Sequence, residues 1–489
     1  MERSIKQWWV PFAKGGEYSR FYSDWDLVFD WTSEGREFKR IVAAKYGSAS
    51  RFVKSEEDYF KPGITWMQTT NLGMNARVLP GMGIFGVASP TLFLRDEGDR
   101  NTVLAIMNSS MFDLLARCVA NRNWGATAVG SLPVPRIHGQ LKEMLGSIVV
   151  TTFQTKESWD EGNELSARFA EPWLVTALRD EKDGSLSAAI DGVVLREEDA
   201  DRHIRKWYSE LDRAVFDAYG LSQETRETVL RDLGERPPEI VWPQMEGKTV
   251  EQKRMEHVWR LLSYVVKRIV EADDDGIVPF VPLAGEAALL DRVHRELAAL
   301  FPGREASQVE AEIANELKRK VAGYKRADSI REWLENVFFA YHVSLYKNRP
   351  IFWHIASSQG GAPMAFGALV HYHKFDKNRI ARLRSTYLRE AMDNFRREAA
   401  LADKEGRTND RVEWQAKLEE AQDLDRRLQW VQEGHHEGPV GGNKDYRIST
   451  PWKKPHERPK GWDPDIDDGV KVNIEPLQRA GVLRVAKVV

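Results

Sequence analysis

The sequence has one cysteine, Cys118. A lone thiol forms no internal disulfide and no thiolate metal site, which fits a reducing compartment. Because it lies within VLAIMNSSMFDLLARCV, where apolar residues recur at helical spacing, it is expected to be an inert buried thiol. No run of about eighteen apolar residues is present to cross a bilayer. The start, MERSIKQWW, lacks the apolar core and small-residue cleavage site of a secretory signal, so the expected location is the cytoplasm. A charge excess is missing too: 71 Lys and Arg stand against 74 Asp and Glu, for a net charge of −3. That balance excludes a protein that coats nucleic acid indiscriminately, and any DNA contact must come from local basic patches and side chains that read bases. Neither a Ser-His-Asp order nor a P-loop occurs, and GMGIFG (81–86) lacks the helix that a dinucleotide fingerprint requires after it.

What is there is a soluble globular composition, 42% apolar and 30% charged over 489 residues, long enough for about two or three domains. The expected class is α+β. From Trp8 to Arg136 short β-type runs (DLVFDW, ITWMQTT, ARVLPGMGIFGVAS, TLFL) alternate with Gly and Pro. They predict a mixed α/β domain over 1–136 with a mostly antiparallel sheet and one helix from Asn101 to Val119. A helical domain is expected over 137–235. There Ile204, Trp207, Leu211, Val215 and Tyr219 repeat at helical spacing, and Gly220 sits where a C-cap is wanted. The prolines of RPPEIVWP break that run. The third domain, 236–489, reads as mainly helical with two strand-like runs, RPIFWHIASS and FGALVHYHKF, and a charged helix or helix pair from Asn378 to Gln432 with the charge pairs of an exposed arm. A Gly- and Pro-rich connector comes after it.

A series of segments in order along the chain resembles a known family. They are FAKGGEYSRFY, the Trp31 to Gly35 turn, KPGITW, GIFGVAS, VLAIMNSS, AVGSLPVP, ESWDEGNE, ELDRAVFDAYGLS, LLSYVV with DDDGIVP, LYKNRPIFWHIASS, ALVHYHKFDKNRIARLRSTYLRE and WDPDIDDGVKVN. Together they resemble the large adenine-specific DNA methyltransferases of bacterial phage-defence systems of the BREX (phage growth limitation) type. Those have relatives in DISARM systems and in restriction enzymes that fuse methylation to cleavage. In such proteins these segments lie after the methyltransferase domain. Family members carry an Asn-Pro-Pro-Tyr type motif for the flipped adenine and a Gly-containing turn for S-adenosylmethionine, and this sequence has neither. Its double proline, Pro237-Pro238, is succeeded by Glu239, which offers an extruded base no ring to stack on.

The resemblance implies that the chain is the target-recognition and C-terminal portion, encoded separately or truncated upstream. It implies double-stranded DNA as a partner, and a methyltransferase catalytic domain or subunit that holds S-adenosylmethionine; no cofactor is expected in this chain. Other phage-defence proteins are further candidate partners. Two alternatives stay open: a nuclease-like effector of the same system, and a defence-complex scaffold with little DNA contact.

Major-groove reading needs bidentate side chains, with Arg for guanine and Asn or Gln for adenine, and phosphate contacts need Lys, Arg, hydroxyls or backbone amides. Lys14, Gly15, Gly16, Tyr18 and Arg20 form a basic, Gly-loosened turn suited to a phosphate, and they equally fit a capped polar loop. Thr65, Gln68 and Asn71 read as polar positions on a strand, beside an inward-packed Trp66. Arg122 and Asn123 come after the central helix and are the residues expected to point at DNA, with Arg77 as a further candidate. In the third domain Arg349, Arg382 and Arg384 could track a line of phosphates, although a solvated helix face accounts for them as well. His371 and His373 share a face but have no third metal ligand nearby in sequence. PDIDDGVK (464–471) has Gly469 where a metal-dependent nuclease places an acid before its lysine.

Overall fold

Alternating apolar residues do produce strands in the first third of the chain, but shorter ones than the sequence pattern suggests. The computed structural model describes residues 8–120, 123–180, 184–376, 378–433 and 475–485. The chain divides into two compact units, Met1–Trp173 with Gly192–Lys248, and Leu174–Asp191 with Thr249–Val489. The architecture is α+β, with 58% helix. The Gly/Pro-rich connector and PDIDDGVK lie outside the described residues.

In the first unit, β1 (Trp9–Ala13), β2 (Val28–Asp30), β3 (Gly63–Thr65), β4 (Arg77–Leu79), β5 (Ile84–Phe85) and β6 (Thr91–Leu92) make two three-stranded sheets. Their orders are β2-β1-β5 and β4-β3-β6. Only the β1–β5 pair is parallel, with Phe12 opposite Ile84; the others are antiparallel, with Ile64 opposite both Val78 and Leu92. Helix α1 (Thr32–Tyr46) begins with a left-handed turn in which Ser33, Glu34 and Gly35 have φ of 52°, 57° and 66°. The Trp31 ring lies over Gly35 so closely that a Cβ there would come within 2.8 Å of it, which only glycine avoids.

The single helix expected over Asn101–Val119 is two, α2 (Arg100–Asn108) and α3 (Ser110–Val119), bent by 73°. Ser109 is extended, its Oγ accepts from the Phe112 amide at 3.3 Å and donates to the Ile106 carbonyl at 2.7 Å. Short polar side chains compete with helix hydrogen bonds in this way, so the NSS sequence ends one helix and caps the next. Cys118 is a further correction, because it is exposed. On α3 the buried stripe carries Phe112 and Ala116, and Cys118 lies on the far side of it.

Next come α4 (Ala126–Gly130), α5 (Gly139–Trp159), α6 (Trp173–Asp180), α7 (Leu186–Ala218) and α8 (Gln223–Leu233). Gly220, at φ 69°, ends the turn after α7, and the Ser222 hydroxyl caps α8 by accepting from the Thr225 amide. One apolar core joins Ile64, Trp66, Leu104, Phe112, Trp124, Val149, Leu211 and Val215, so β3, α2, α3, α5 and α7 are held by shared burial.

The second unit takes in Leu174–Asp191 and resumes with α9 (Val250–Ala272), started by a capping box between Thr249 and Gln252. It continues through α10 (Leu289–Leu300), α11 (Ala306–Leu317), α12 (Ile330–Asn336) and α13 (Phe338–Leu345). The two strand-like runs do pair. Strands β7 (Ile277–Pro279), β8 (Phe352–Ala356) and β9 (Gly367–His371) form an antiparallel sheet in the order β7-β9-β8. The charged stretch after it is α14 (Arg379–Arg382), a π-helical turn over Leu383–Leu388, α15 (Arg389–Lys404) and α16 (Thr408–Glu433). It is not an exposed arm: Phe395, Ala402, Leu418, Leu424 and Leu428 are buried, and most of them join the sheet's core. Its charges occupy the opposite faces, which is why a charge count alone misreads it. After α17 (Glu475–Arg479), Leu483 bridges to Ile355 and extends the β8 edge. Arg484 pins that segment, donating to the carbonyls of Glu335, Ser358 and Ala362.

Among the described residues, no single helix is long and apolar enough to cross a membrane.

Candidate nucleic-acid interface

The polar strand expected from Thr65 onward stops at Thr65. From Trp66 the chain runs as a loop, and two buried tryptophans tie it to a second loop. Trp66 Nε1–H donates to the Trp124 carbonyl at 2.7 Å, and Trp124 Nε1–H donates to the Thr70 carbonyl at 2.9 Å. The Trp124 amide donates to the Gln68 carbonyl at 2.7 Å, and Thr69 and Asn123 form an isolated antiparallel bridge. Asn75 holds the first loop from within, accepting from the Met67 amide and donating to the Gly73 carbonyl. Buried indoles with satisfied N–H groups make rigid posts, so Gln68, Asn71 and Asn123 are brought to one place. Asn71 and Asn123 are exposed and Gln68 is half-buried.

The basic turn joins this surface through the segment Ala88–Pro90. The Gln68 amide donates to the Ala88 carbonyl at 3.0 Å, and the Gly15 amide donates to Ser89 Oγ at 2.5 Å. Lys14 is exposed at the tip, and Gly15 and Gly16 have φ of 74° and 104°. Tyr18 is half-buried, its hydroxyl donating to the Met74 carbonyl and accepting from Arg20 Nε.

Three of the expected contact residues face inward instead. Arg77 is fully buried, and its guanidinium donates to the carbonyls of Gly15 and Glu17 and to Ser23 Oγ. Burial pulls its pKa down to about 10, and among the described residues no carboxylate pairs with it. It therefore supports the Lys14 turn from beneath rather than reaching a base edge. Arg20 is buried in an ion pair with Glu239 at 2.6 Å, and Lys156 approaches the same carboxylate at 3.5 Å. Burial opposes the charge on Glu239, but Arg20, Lys156 and Arg236 outweigh it and hold the carboxyl below its ordinary value. Thr65 is also buried, with its hydroxyl donating to the Pro90 carbonyl.

Arg122 lies outside the described residues. In the second unit Arg349 is exposed, next to Lys347 and Asn348, which both have positive φ. Arg382 is exposed and pairs with Asp275 at 2.8 Å. Arg384 is held by both oxygens of Asp425 and by Gln432, and Arg379 is buried on the Asp275 and Lys374 carbonyls. Arg382 and Arg384 therefore do not form a row of free arginines, because Asp275 in the turn before β7 pairs with the first and Asp425 of α16 with the second. His371 and His373 stand with ring centroids 5.6 Å apart, and among the described residues no group of three metal-ligating side chains gathers.

Two positioning residues carry no sequence signal that would have found them. Asn75 and Ser89 act by single hydrogen bonds to distant backbone, and neither stands in a motif.

No protein-family model matches the chain. The adenine-specific methyltransferase PglX of Lacticaseibacillus casei (strain Zhang) is 24% identical to it over 422 residues, which is 80% of this chain and 33% of that protein. The adenine-specific methyltransferase BrxX of Escherichia coli O9:H4 (strain HS) is 22% identical over 426 residues, 78% of this chain and 33% of that protein. The chain is related to the BREX-type adenine-specific methyltransferases. It spans about a third of the length of these curated relatives. Neither compact unit alone makes up 80% of the chain, so the relationship to these methyltransferases reaches both.

Proposed function

We propose that this chain is the sequence-specific DNA-recognition portion of an adenine-specific DNA methyltransferase of a BREX-like phage-defence system. Catalysis belongs to a methyltransferase domain on another segment or another chain. The observation that carries this reading is the relationship to two adenine-specific methyltransferases in a sequence that holds no Asn-Pro-Pro-Tyr motif. The clamped loops support it, because they present Gln68, Asn71 and Asn123 on a rigid base, with Lys14 on the turn joined to them through Ser89. Amide side chains fit adenine edges and Lys14 fits a phosphate.

Among the described residues, the GMGIFG turn does not fit S-adenosylmethionine. Two glycines of GMGIFG are packed against β1, where a Cβ on Gly83 would come 2.6 Å from the Pro11 carbonyl oxygen and one on Gly86 would come 2.9 Å from the Phe12 ring, and Gly81 packs on Pro62. They let strands approach each other and leave no cradle. Glu239, after the double proline, is taken up by Arg20 and Lys156. The recognition portion selects the site, and its partner flips the adenine and methylates the exocyclic amine.

The test is duplex selection with the purified chain, then incubation with S-adenosylmethionine. One preferred sequence, bound in a salt-dependent way and left unmethylated, is the expected result. Adenine methylation by the lone chain, traced to its own residues, would overturn the reading, as would equal binding of all duplexes. Cleavage in magnesium would favour a nuclease instead.

A further inference from the structure

The first unit has a cleft of about 580 Å³ between α7, α8 and the segment after them. Arg20, Tyr208 and Arg236 are among its lining residues on the buried side, and Arg205, Arg213 and Arg226 on the open side. The Tyr208 ring has the Arg20 guanidinium 4.9 Å from its centroid and the Arg236 guanidinium 5.5 Å from it. Arg236 also donates to Ser110 Oγ at 3.0 Å and pairs with Asp113 at 3.0 Å.

Two features of this cleft are unexplained by folding. Arg20 is 1% exposed, with Nη1 on Glu239 and Nε on the Tyr18 hydroxyl, yet its buried Nη2 has no hydrogen-bond partner. An orphaned charged donor is costly, and native structures keep one where something else completes it. Second, Arg205 and Arg213 lie eight residues apart on α7, with Ser209 midway, so all three share one face. Both arginines are exposed, and among the described residues no carboxylate pairs with either. Their neighbours differ: Arg202 pairs with Asp199 at 2.8 Å and Lys206 with Glu210 at 3.9 Å.

The acids facing the cleft are engaged. Asp212 accepts from the Ser110 amide at 2.6 Å, Glu227 accepts from Gln223 at 3.0 Å, and Glu239 is shared by Arg20 and Lys156. Arg226 is anchored on Asp217 and the Leu221 carbonyl, which fixes its position at the rim.

We propose that this cleft binds a phosphate group, with Arg205 and Arg213 as its outer contacts and Arg20 Nη2 as its inner one. Guanidinium groups match phosphate oxygens in pairs and are less strongly hydrated than ammonium groups, which suits a partly buried anion. The phosphate can come from a nucleic-acid backbone or from a free phosphate compound. The inference stands apart from the DNA-recognition reading, because a chain indifferent to duplex sequence can still hold an anion here.

The probe is inorganic pyrophosphate, titrated calorimetrically into the full chain and into the Arg205→Ala/Arg213→Ala variant. Both replaced side chains are exposed and unpaired, so the thermal midpoint should be unchanged. Saturable binding by the native chain, weakened about tenfold or more in the variant, is expected for two lost charge-assisted contacts. A short duplex is then tested over a salt series. Displacement of pyrophosphate by the duplex, with a salt slope reduced by about two in the variant, assigns the phosphate to a nucleic-acid backbone. Pyrophosphate binding without displacement assigns it to a free compound. The proposal is overturned if pyrophosphate binding and the duplex salt slope are both the same in the two proteins, including the case where neither protein binds either probe.

Discussion

Trp66 and Trp124 are joined by a 2.7 Å hydrogen bond from the indole of one to the backbone of the other, and the second indole in turn holds Thr70. Each is about fully buried, so the two loops share one post. Trp124→Phe keeps most of the packing but strands the Thr70 carbonyl, which costs about 1–3 kcal/mol. Urea denaturation should show that loss. Duplex selection by the same protein should become less discriminating, because Gln68, Asn71 and Asn123 lose their common support. Unchanged selectivity would separate the clamp from recognition.

Lys14 and Arg77, the β4 residue whose guanidinium holds the Lys14 turn from beneath, are expected to behave differently. Arg77→Met leaves the Gly15 and Glu17 carbonyls without their donor, a cost of about 1–3 kcal/mol that a denaturation midpoint reads. Lys14→Ala should leave stability within about 0.5 kcal/mol. It should lower the salt slope of duplex binding by about one, equally for every sequence. A base-reading Arg77 would give the opposite pattern: full stability on replacement and relaxed choice of sequence.

Apolar periodicity is a strong signal where one face is buried, as in α7, and continuous apolar runs mark β8 and β9, which are buried on both faces. Local polar chemistry was harder. The strand after Thr65 and the helix through Ser109 both end where side-chain hydrogen bonds replace the regular ones, and those bonds go to partners such as Asn75, which the sequence does not mark as near. Charge was least readable. Arg20, Arg77 and Arg384 look alike in sequence to exposed arginines, and only the fold brings Glu239, the Gly15 turn and Asp425 to them. The loop positions Lys14, Asn71 and Asn123 lay open because glycines, prolines and amides cluster where backbone leaves regular structure.

Glu239 neutralises both Arg20 and Lys156. Glu239→Gln leaves two buried cations without an anion, a change expected to destabilise by about 3–5 kcal/mol. Pairing it with Lys156→Met should recover part of that, since one cation is then gone. The folded pKa of Glu239 lies below its ordinary 4.5, so its contribution is present above that pH and fades as the pH falls through the folded value. Thermal midpoints of native and Glu239→Gln proteins should therefore converge in acid and be farthest apart near neutrality. A constant gap across that range would place the anion's role elsewhere.

His342 sets a second acid limit, in the other unit. Its Nε2 accepts from the Ile351 and Phe352 amides, both at 3.1 Å, where the chain enters β8. Only a neutral ring can accept there. Burial, with Lys267 adding to it, depresses the pKa from 6.5 to about 3. Above pH 6.5 the folded and unfolded rings are both neutral, and the arrangement is fully stable. Below it the unfolded chain takes up a proton that the folded chain refuses, so stability falls by up to about 1.4 kcal/mol per pH unit until the folded value is reached. His342→Gln offers one carbonyl oxygen to the same amides without a titrating group. It should be less stable than the native chain at neutral pH and lose less stability between pH 6.5 and about 5. Denaturation midpoints at those two pH values decide it, and parallel losses in both proteins would show that the ring carries no part of the acid sensitivity.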